Sequence, residues 1–350
     1  MERHICVCYN KVNILGDGEK MRRLFCLLCA IAVLASGICT GCSSLNSGNP
    51  EASTVETEAT NKGDAVHHEF KTFVYSDFYR EIYDEATEET FRAYCEAVSK
   101  GETEFVCTSD DFMITTRLKM LASEYMPLAY TYAKITAIDA DNVAHIDYDL
   151  SADEFLAKLE AFKNKVIQIL DETCKAGYSD AENAIAIYDY FAKNFTYTTY
   201  TSSYVVIMEG NGVCQDFASA YDYLLGQVGI DACVCNSMLN KQVPHTWSLI
   251  RIDGEYYHAD PTYALSNPGT IRYFGFTDEM RAALDNYEEF PFTYGFGLYE
   301  DNDGKFKSED DRFVELSDTS DYELDLDNGQ IKYVSAATGE DKVFVVTPET

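Results

Sequence analysis

The chain has 350 residues, enough for one large domain or two modest ones. Its 46% hydrophobic content is that of an ordinary globular protein, but 27 basic against 59 acidic residues leave a formal net charge of -32. Such a surface repels nucleic acid and anionic headgroups, which excludes functions built on binding them electrostatically and otherwise serves solubility.

Met21-Arg22-Arg23 is a short basic start, and Leu24 to Ile38 is apolar with small residues interleaved. That run is too short to span a bilayer comfortably and has the layout of a signal peptide, with Met21 as the expected true start. Cys39-Thr40-Gly41-Cys42 resembles a bacterial lipobox, with Cys39 where Leu is usual. The resemblance implies that residues 1–42 form the signal segment and that Cys42 carries the lipid. The chain is then expected in the cell envelope, anchored to the outer face of a bacterial membrane; a cleaved secretory signal without lipid is the alternative. Residues 43–66 are poor in bulky apolar side chains and read as a flexible linker. His67-His68 closes it as an exposed pair rather than a metal site.

Residues 67–150 read as a small α+β domain. Thr87 is the expected N-cap of a helix carrying Phe91, Tyr94, Cys95 and Val98 on one face, stopped by Gly101. A strand over 104–108, a helix over 110–122 and two strands over 129–137 and 143–150, around Asp139-Ala-Asp-Asn, follow. In residues 151–285, Ser151-Ala-Asp-Glu154 and Ser179-Asp-Ala-Glu182 are capping boxes, opening helices to about Ala176 and Asn194. A helix over 215–227 buries Phe217, Tyr221, Leu224 and Leu225 and ends at Gly229. Strands are expected at 231–238, 245–252 and 255–260, then a short helix over 277–284. Residues 286–350 form an acidic β extension with hairpin-like pieces near 321–346. Asp301-Asn-Asp303-Gly304 reads as a hairpin turn, since a calcium loop would need Glu at its twelfth position. No P-loop or HExxH occurs, and no metal or cofactor is expected.

Six cysteines lie beyond the lipobox: Cys95, Cys107, Cys174, Cys214, Cys233 and Cys235. Only Cys214 stands in a context that suggests chemistry. It follows Gly210-Asn-Gly212-Val at a helix start, where backbone N–H groups favour a thiolate and can receive a developing oxyanion. With Cys214 set aside, the remaining five cannot all pair, and most are expected as buried thiols. Asp253-Gly254 signals a two-residue hairpin turn. In that register Ile252 faces Glu255, Leu249 faces His258, Trp247 faces Asp260 and His245 faces Thr262. His245 and Asp260 become diagonal neighbours, roughly 7 Å apart at the backbone. The carboxylate would then orient the imidazole and stabilise its protonated form. His258 shares that face but lies deeper along the hairpin, and His245 is preferred as the base. Trp247 is expected to wall the site, and Tyr204 is a candidate second oxyanion donor.

The pattern G-x-G-V-C-x-x-[FY]-A, then H-x-W, then D-G-x-[WY]-Y-x-x-D-P-T is similar to the transglutaminase-like superfamily, over roughly Ser151 to Phe276. The resemblance implies a papain-like α+β core, with the nucleophile helix packed on an antiparallel sheet that carries the base and its acid. Residue by residue it assigns Cys214 as nucleophile, His245 as base and Asp260 as acid. His245-Thr-Trp-Ser and Gln215-Asp216 depart from the more frequent H-A-W-N and Gly-Tyr. The expectation is a surface-anchored thiol enzyme acting on amide bonds of extracellular proteins or peptides through a thioester, with hydrolysis favoured. Transfer to a lysine amine and a catalytically silent binding module are the alternatives.

Overall fold

An α+β architecture is assembled around a six-stranded antiparallel sheet. The computed structural model describes residues 61–199, 201–239, 243–267, 269–285 and 292–346. The signal segment, the lipobox cysteine Cys42 and linker residues 43–60 lie outside the described residues.

Ser76 opens α1 (Asp77–Ile82) and Asp84 opens α2 (Glu85–Lys100). Asp84, rather than the expected Thr87, is the cap. Its carboxylate accepts the Thr87 amide at 2.9 Å and the Thr87 hydroxyl at 2.6 Å, so Thr87 is the capped position. Left-handed Gly101 ends α2. Next come β1 (Glu104–Val106), α3 (Ile114–Tyr125), α4 (Pro127–Tyr132), β2 (Ala133–Ile138) and β3 (Val143–Tyr148), the strands ordered β1-β3-β2. The strand expected from Ala129 begins at Ala133. Pro127 sits in the first turn of α4, where a missing N–H costs nothing, and takes that segment into helix.

Both capping boxes are present at the starts of α5 (Ala152–Thr173) and α6 (Asp180–Asn194), with Ser151–Glu154 and Ser179–Glu182 satisfying each other's amides. At their junction Gly63 N–H donates to the Ala176 carbonyl, and Lys62 pairs with buried Glu182. His67 and His68 both close onto Asp171, at 2.8 and 3.0 Å. The end of the linker is therefore pinned against these two helices.

β4 (Thr196–Tyr197), α7 (Ser203–Glu209), β5 (Asn211–Gly212) and α8 (Cys214–Val228) follow, β4 and β5 forming a short parallel pair. The central sheet then takes β6 (Asp231–Leu239), β7 (Val243–Ile252) and β8 (Glu255–Ala259). After α9 (Pro261–Ser266) come β9 (Phe274–Phe276) and α10 (Asp278–Asp285). Strands β10 (Thr293–Tyr294) and β11 (Tyr299–Glu300) complete the order β11-β10-β6-β7-β8-β9. Helix α8 lies against β6 and β7, with Ala218 packed on Val234. Trp247, Ser248, Leu249 and Ile250 are all fully buried, so β7 is covered on both faces. A covered central strand loses the usual in–out alternation.

After β11, Asp301 accepts the amides of Lys305 and Phe306 at 2.8 and 2.7 Å, closing a turn with its side chain. No group of three potential metal ligands occurs among the described residues. The chain ends in a three-stranded meander, β12 (Thr319–Asp325), β13 (Gln330–Ser335) and β14 (Asp341–Val345), rather than separate hairpins.

Candidate active site

Cys214 is the first residue of α8, and the turn that delivers it is built from glycine and a buried carboxylate. Gly210 adopts φ 76° to end α7. A Cβ on Gly212 would lie 2.7 Å from Val206 Cγ2 and 2.9 Å from Asp216 Cβ, so only glycine fits there. Asp216 is buried; its Oδ2 accepts the Val213 amide at 3.1 Å and the Thr201 amide at 3.0 Å. This residue caps α8 and ties the preceding loop to it.

The β7–β8 hairpin has the register that Asp253-Gly254 implies: Ile252 opposes Glu255, Leu249 opposes His258 and Ser248 opposes Ala259. Asp253 and Gly254 both take positive φ, 53° and 91°, as a two-residue turn requires. Beyond Ala259 the expected ladder stops. Asp260 faces neither Trp247 nor a strand neighbour, because it leaves the sheet to become the N-cap of α9. Its Oδ1 accepts the amides of Thr262 and Tyr263, both at 3.1 Å. Its backbone is held by Tyr188 Oη on its carbonyl, at 3.1 Å, and by its N–H to the Tyr273 carbonyl, at 3.0 Å.

That leaves Asp260 Oδ2 for the imidazole. His245 Nε2 stands 2.8 Å from it, both side chains buried. The other ring nitrogen is left for Cys214, whose thiol is lowered by His245 and by the Thr246 amide. Cys214, His245 and Asp260 are thus brought together in one line, with a hydrogen bond between the last two. Burial disfavours charge at all three, yet their mutual contacts prevail. The Cys214 thiol is lowered from its ordinary value by His245, and the His245 imidazole is pushed up to about 9 by Asp260 and Cys214. His245 and Arg281 hold the Asp260 carboxyl below the usual carboxylate range. A thiolate–imidazolium pair is the state these shifts favour.

His258 is occupied elsewhere. Trp247 Nε1 donates to its Nδ1 at 2.9 Å, so the neutral ring must carry its proton on Nε2, which faces Asp278 Oδ1 at 2.9 Å. Burial lowers the His258 value, so the ring stays neutral. Trp247 walls the site, its ring 5.8 Å from that of His245 and nearly parallel to it. Tyr204 does not join the group. Its ring packs on Tyr132 and Phe162, and its hydroxyl faces Lys158, so its partners belong to α4 and α5.

Two further residues belong to the site. Tyr263 stacks on the His245 ring, 5.0 Å between centroids. Arg281, fully buried on α10, sets Nη2 2.8 Å from Asp260 Oδ2. Its guanidinium lies 4.2 Å from the Trp247 ring centroid. The other five cysteines among the described residues are free and buried, whereas Cys214 is partly exposed. Burial raises all five of those thiols, Cys174 to about 11. Cavities of about 460 and 270 Å³ open elsewhere, one between α5, α6 and the C-terminal meander, the other beside the C-terminal end of α8.

Residues 167–261, which contain Cys214, His245 and Asp260, match the family model described as the transglutaminase-like superfamily. The chain carries a transglutaminase-like domain. No curated protein matches the chain. Among solved structures, a candidate cysteine protease from Cytophaga hutchinsonii is 18% identical, covering 38% of this chain and 54% of its own, with a TM-score of 0.27. A structure described only as a TGase is 14% identical over 37% of this chain and 43% of its own, TM-score 0.26. A candidate protease from Parabacteroides distasonis is 16% identical over 47% and 34%, TM-score 0.26. The chain spans about half the length of the first of these and less of the other two. Arg281 and Asp278 lie beyond the matched residues of the transglutaminase-like domain.

Proposed function

We propose that the transglutaminase-like domain is a thiol amidase or protease that cleaves amide bonds of extracellular proteins or peptides through a Cys214 thioester. The observation that carries this reading is the line from partly exposed Cys214 through buried His245 to buried Asp260, the imidazole 2.8 Å from the carboxylate and the thiol lowered beside it. His245 takes the Cys214 proton, and the thiolate adds to the amide carbonyl. The first amides of α8, which have no intrahelical acceptor, face the developing oxyanion. Collapse breaks the C–N bond; the leaving nitrogen receives its proton from His245, and the acyl group stays on sulfur. Water, deprotonated by His245, then attacks the thioester, releasing the acid and restoring the thiol. A second, serial use of His245 is what the Asp260 contact supports, since the ring must carry charge twice per turnover.

Hydrolysis is the preferred outcome because water needs no dedicated acceptor groove. We further propose that lipid on Cys42 holds the enzyme at the outer face of a bacterial membrane, where such substrates occur.

Two measurements test the reading. Iodoacetamide should alkylate Cys214 faster than the five buried cysteines, and equal labelling of all six would favour a silent binding module. Casein incubated with and without a fluorescent primary amine should be cleaved by the native chain and left intact by Cys214→Ala. Cys214-dependent incorporation of the amine would replace hydrolysis with transamidation.

A further inference from the structure

The Asp260 carboxylate has more to do than meet one histidine. It is fully enclosed, and a buried carboxylate is stabilised only when its lone pairs are taken up by donors or opposite charge. Oδ1 is taken by the amides of Thr262 and Tyr263 at the start of α9. Oδ2 receives two cationic partners together, His245 Nε2 and Arg281 Nη2, each at 2.8 Å. Arg281 arrives from another element and has little freedom there. Its side chain is fully buried, with the guanidinium 4.2 Å from the Trp247 centroid and 5.3 Å from that of Tyr263. Both rings also flank His245, at 5.8 and 5.0 Å. The same helix, α10, supplies Asp278 to His258, which in turn holds the Trp247 indole.

We propose that Arg281 is a positioning residue for the transglutaminase-like site, acting through Asp260 to fix the carboxylate against His245 and to limit how strongly it holds the imidazolium. Helix α10 is thereby part of the site: Arg281 sets Asp260, while Asp278 and His258 set the Trp247 wall. This rests on His245 being the working base.

The two halves of the role have separate physical grounds. Planar guanidinium stacked on Trp247 and bonded to Oδ2 leaves the carboxylate one orientation, and lysine cannot reproduce that fork. The positive charge also offsets part of the carboxylate's pull on His245. Without it, Asp260 would hold the imidazolium harder, and a general acid that releases its proton too reluctantly is a poor one. The charged and titratable groups around Asp260 and His245 are Tyr188 on α6, Cys214 on α8, His258 on β8, Tyr263 on α9, and Asp278 and Arg281 on α10.

The test is a carbon-13 histidine NMR titration of His245 in the full chain, for the native protein, Arg281→Met and Arg281→Lys, alongside kcat and KM on a cleaved substrate. The His245 midpoint should rise by about one pH unit or more in Arg281→Met, the size of effect a charge at this distance produces. In Arg281→Lys the midpoint should stay near the native one while kcat falls at least tenfold with KM unchanged. A folded Arg281→Met with a native His245 midpoint and native kcat would overturn the proposal, leaving Arg281 a packing residue. Should Arg281→Met not fold, Arg281→Lys decides: native kcat refutes the positioning role, and a kcat loss at constant KM supports it. The titration needs no substrate. Failure to find any amide cleavage would therefore sink the proposed activity without touching the His245 result.

Discussion

Replacing Asp260 with Asn probes stability and reactivity together. The substitution keeps the volume but removes the charge that both His245 and Arg281 face. A rise of His245 from 6.5 to about 9 corresponds to ~3 kcal/mol of preference for the imidazolium, and Asp260 is the first of its supports. Without the carboxylate, the His245 midpoint should fall back toward or below its ordinary value, because burial alone then acts on it. The Cys214 thiol, which depends on His245, should rise. In fold terms the loss leaves the Arg281 guanidinium buried without a counter-charge, which costs ~3–5 kcal/mol in comparable buried pairs. An amide in place of the carboxylate also turns an NH₂ toward one of the donors or leaves an oxygen poorly placed.

Three readouts follow the change. Urea unfolding should show ~3–5 kcal/mol lost in Asp260→Asn, and much of it should return in Asp260→Asn with Arg281→Met, because the second substitution removes the stranded charge. Iodoacetamide alkylation of Cys214 near pH 6 should slow by at least tenfold. If the native chain cleaves amides, kcat should drop on the order of 10⁴-fold, as for loss of the orienting carboxylate in other triads. An Asp260→Asn protein with native alkylation rates near pH 6 would refute the claim that the carboxylate sustains the ion pair. Strict additivity of the two substitutions would refute the shared-charge account of stability.

The pH dependence of alkylation has a fixed sign. The Cys214 value is lowered, so reactivity should already be high below the ordinary thiol range; the His245 value is raised, so the imidazolium is lost as pH rises through about 9. A bell-shaped kcat/KM profile with its alkaline limb near 9 is expected, and an alkaline limb near 6.5 would contradict it. Gly212→Ala should cost ~1–3 kcal/mol in thermal unfolding and slow Cys214 alkylation, since its methyl group meets Val206 and Asp216 at the turn before Cys214. Glu124 is fully buried, with Tyr79, Tyr125 and the Val234 amide donating to it, yet burial pushes it up to about 7. Its folded value lies above the unfolded 4.5, so the stability it contributes is complete below 4.5 and is lost as pH rises through about 7. Asp222, equally buried beside it, is raised as well, so Glu124→Gln should lessen the fall in stability as pH rises from 4.5 through about 7, and a parallel curve would reject this role.

What sequence could and could not foretell about the site divides by range of interaction. The hairpin register follows from two residues, Asp253 and Gly254, because a two-residue turn with positive φ leaves no freedom in which residues oppose each other. Ser151–Glu154 and Ser179–Glu182 are equally local, each a side chain meeting an amide three residues away. The same local logic goes astray where two chemistries compete within a few residues. Asp84 and Thr87 are both competent caps, and only the carboxylate three positions earlier reaches the amide. The expected ladder to Thr262 stops at Ala259, three residues short, because Pro261 starts a helix and turns Asp260 into its cap. The aspartate still meets His245, by leaving the sheet rather than by continuing it. Arg281 left no trace in the pattern, since an arginine in a short amphipathic helix reads as a solvated face. Its burial depends on β9 returning along β8 and placing α10 beneath Trp247, a long-range event that no spacing encodes. Cys214, His245 and Asp260 are therefore the parts of the candidate site that motifs can announce, whereas the groups packed around them arrive through long-range contacts.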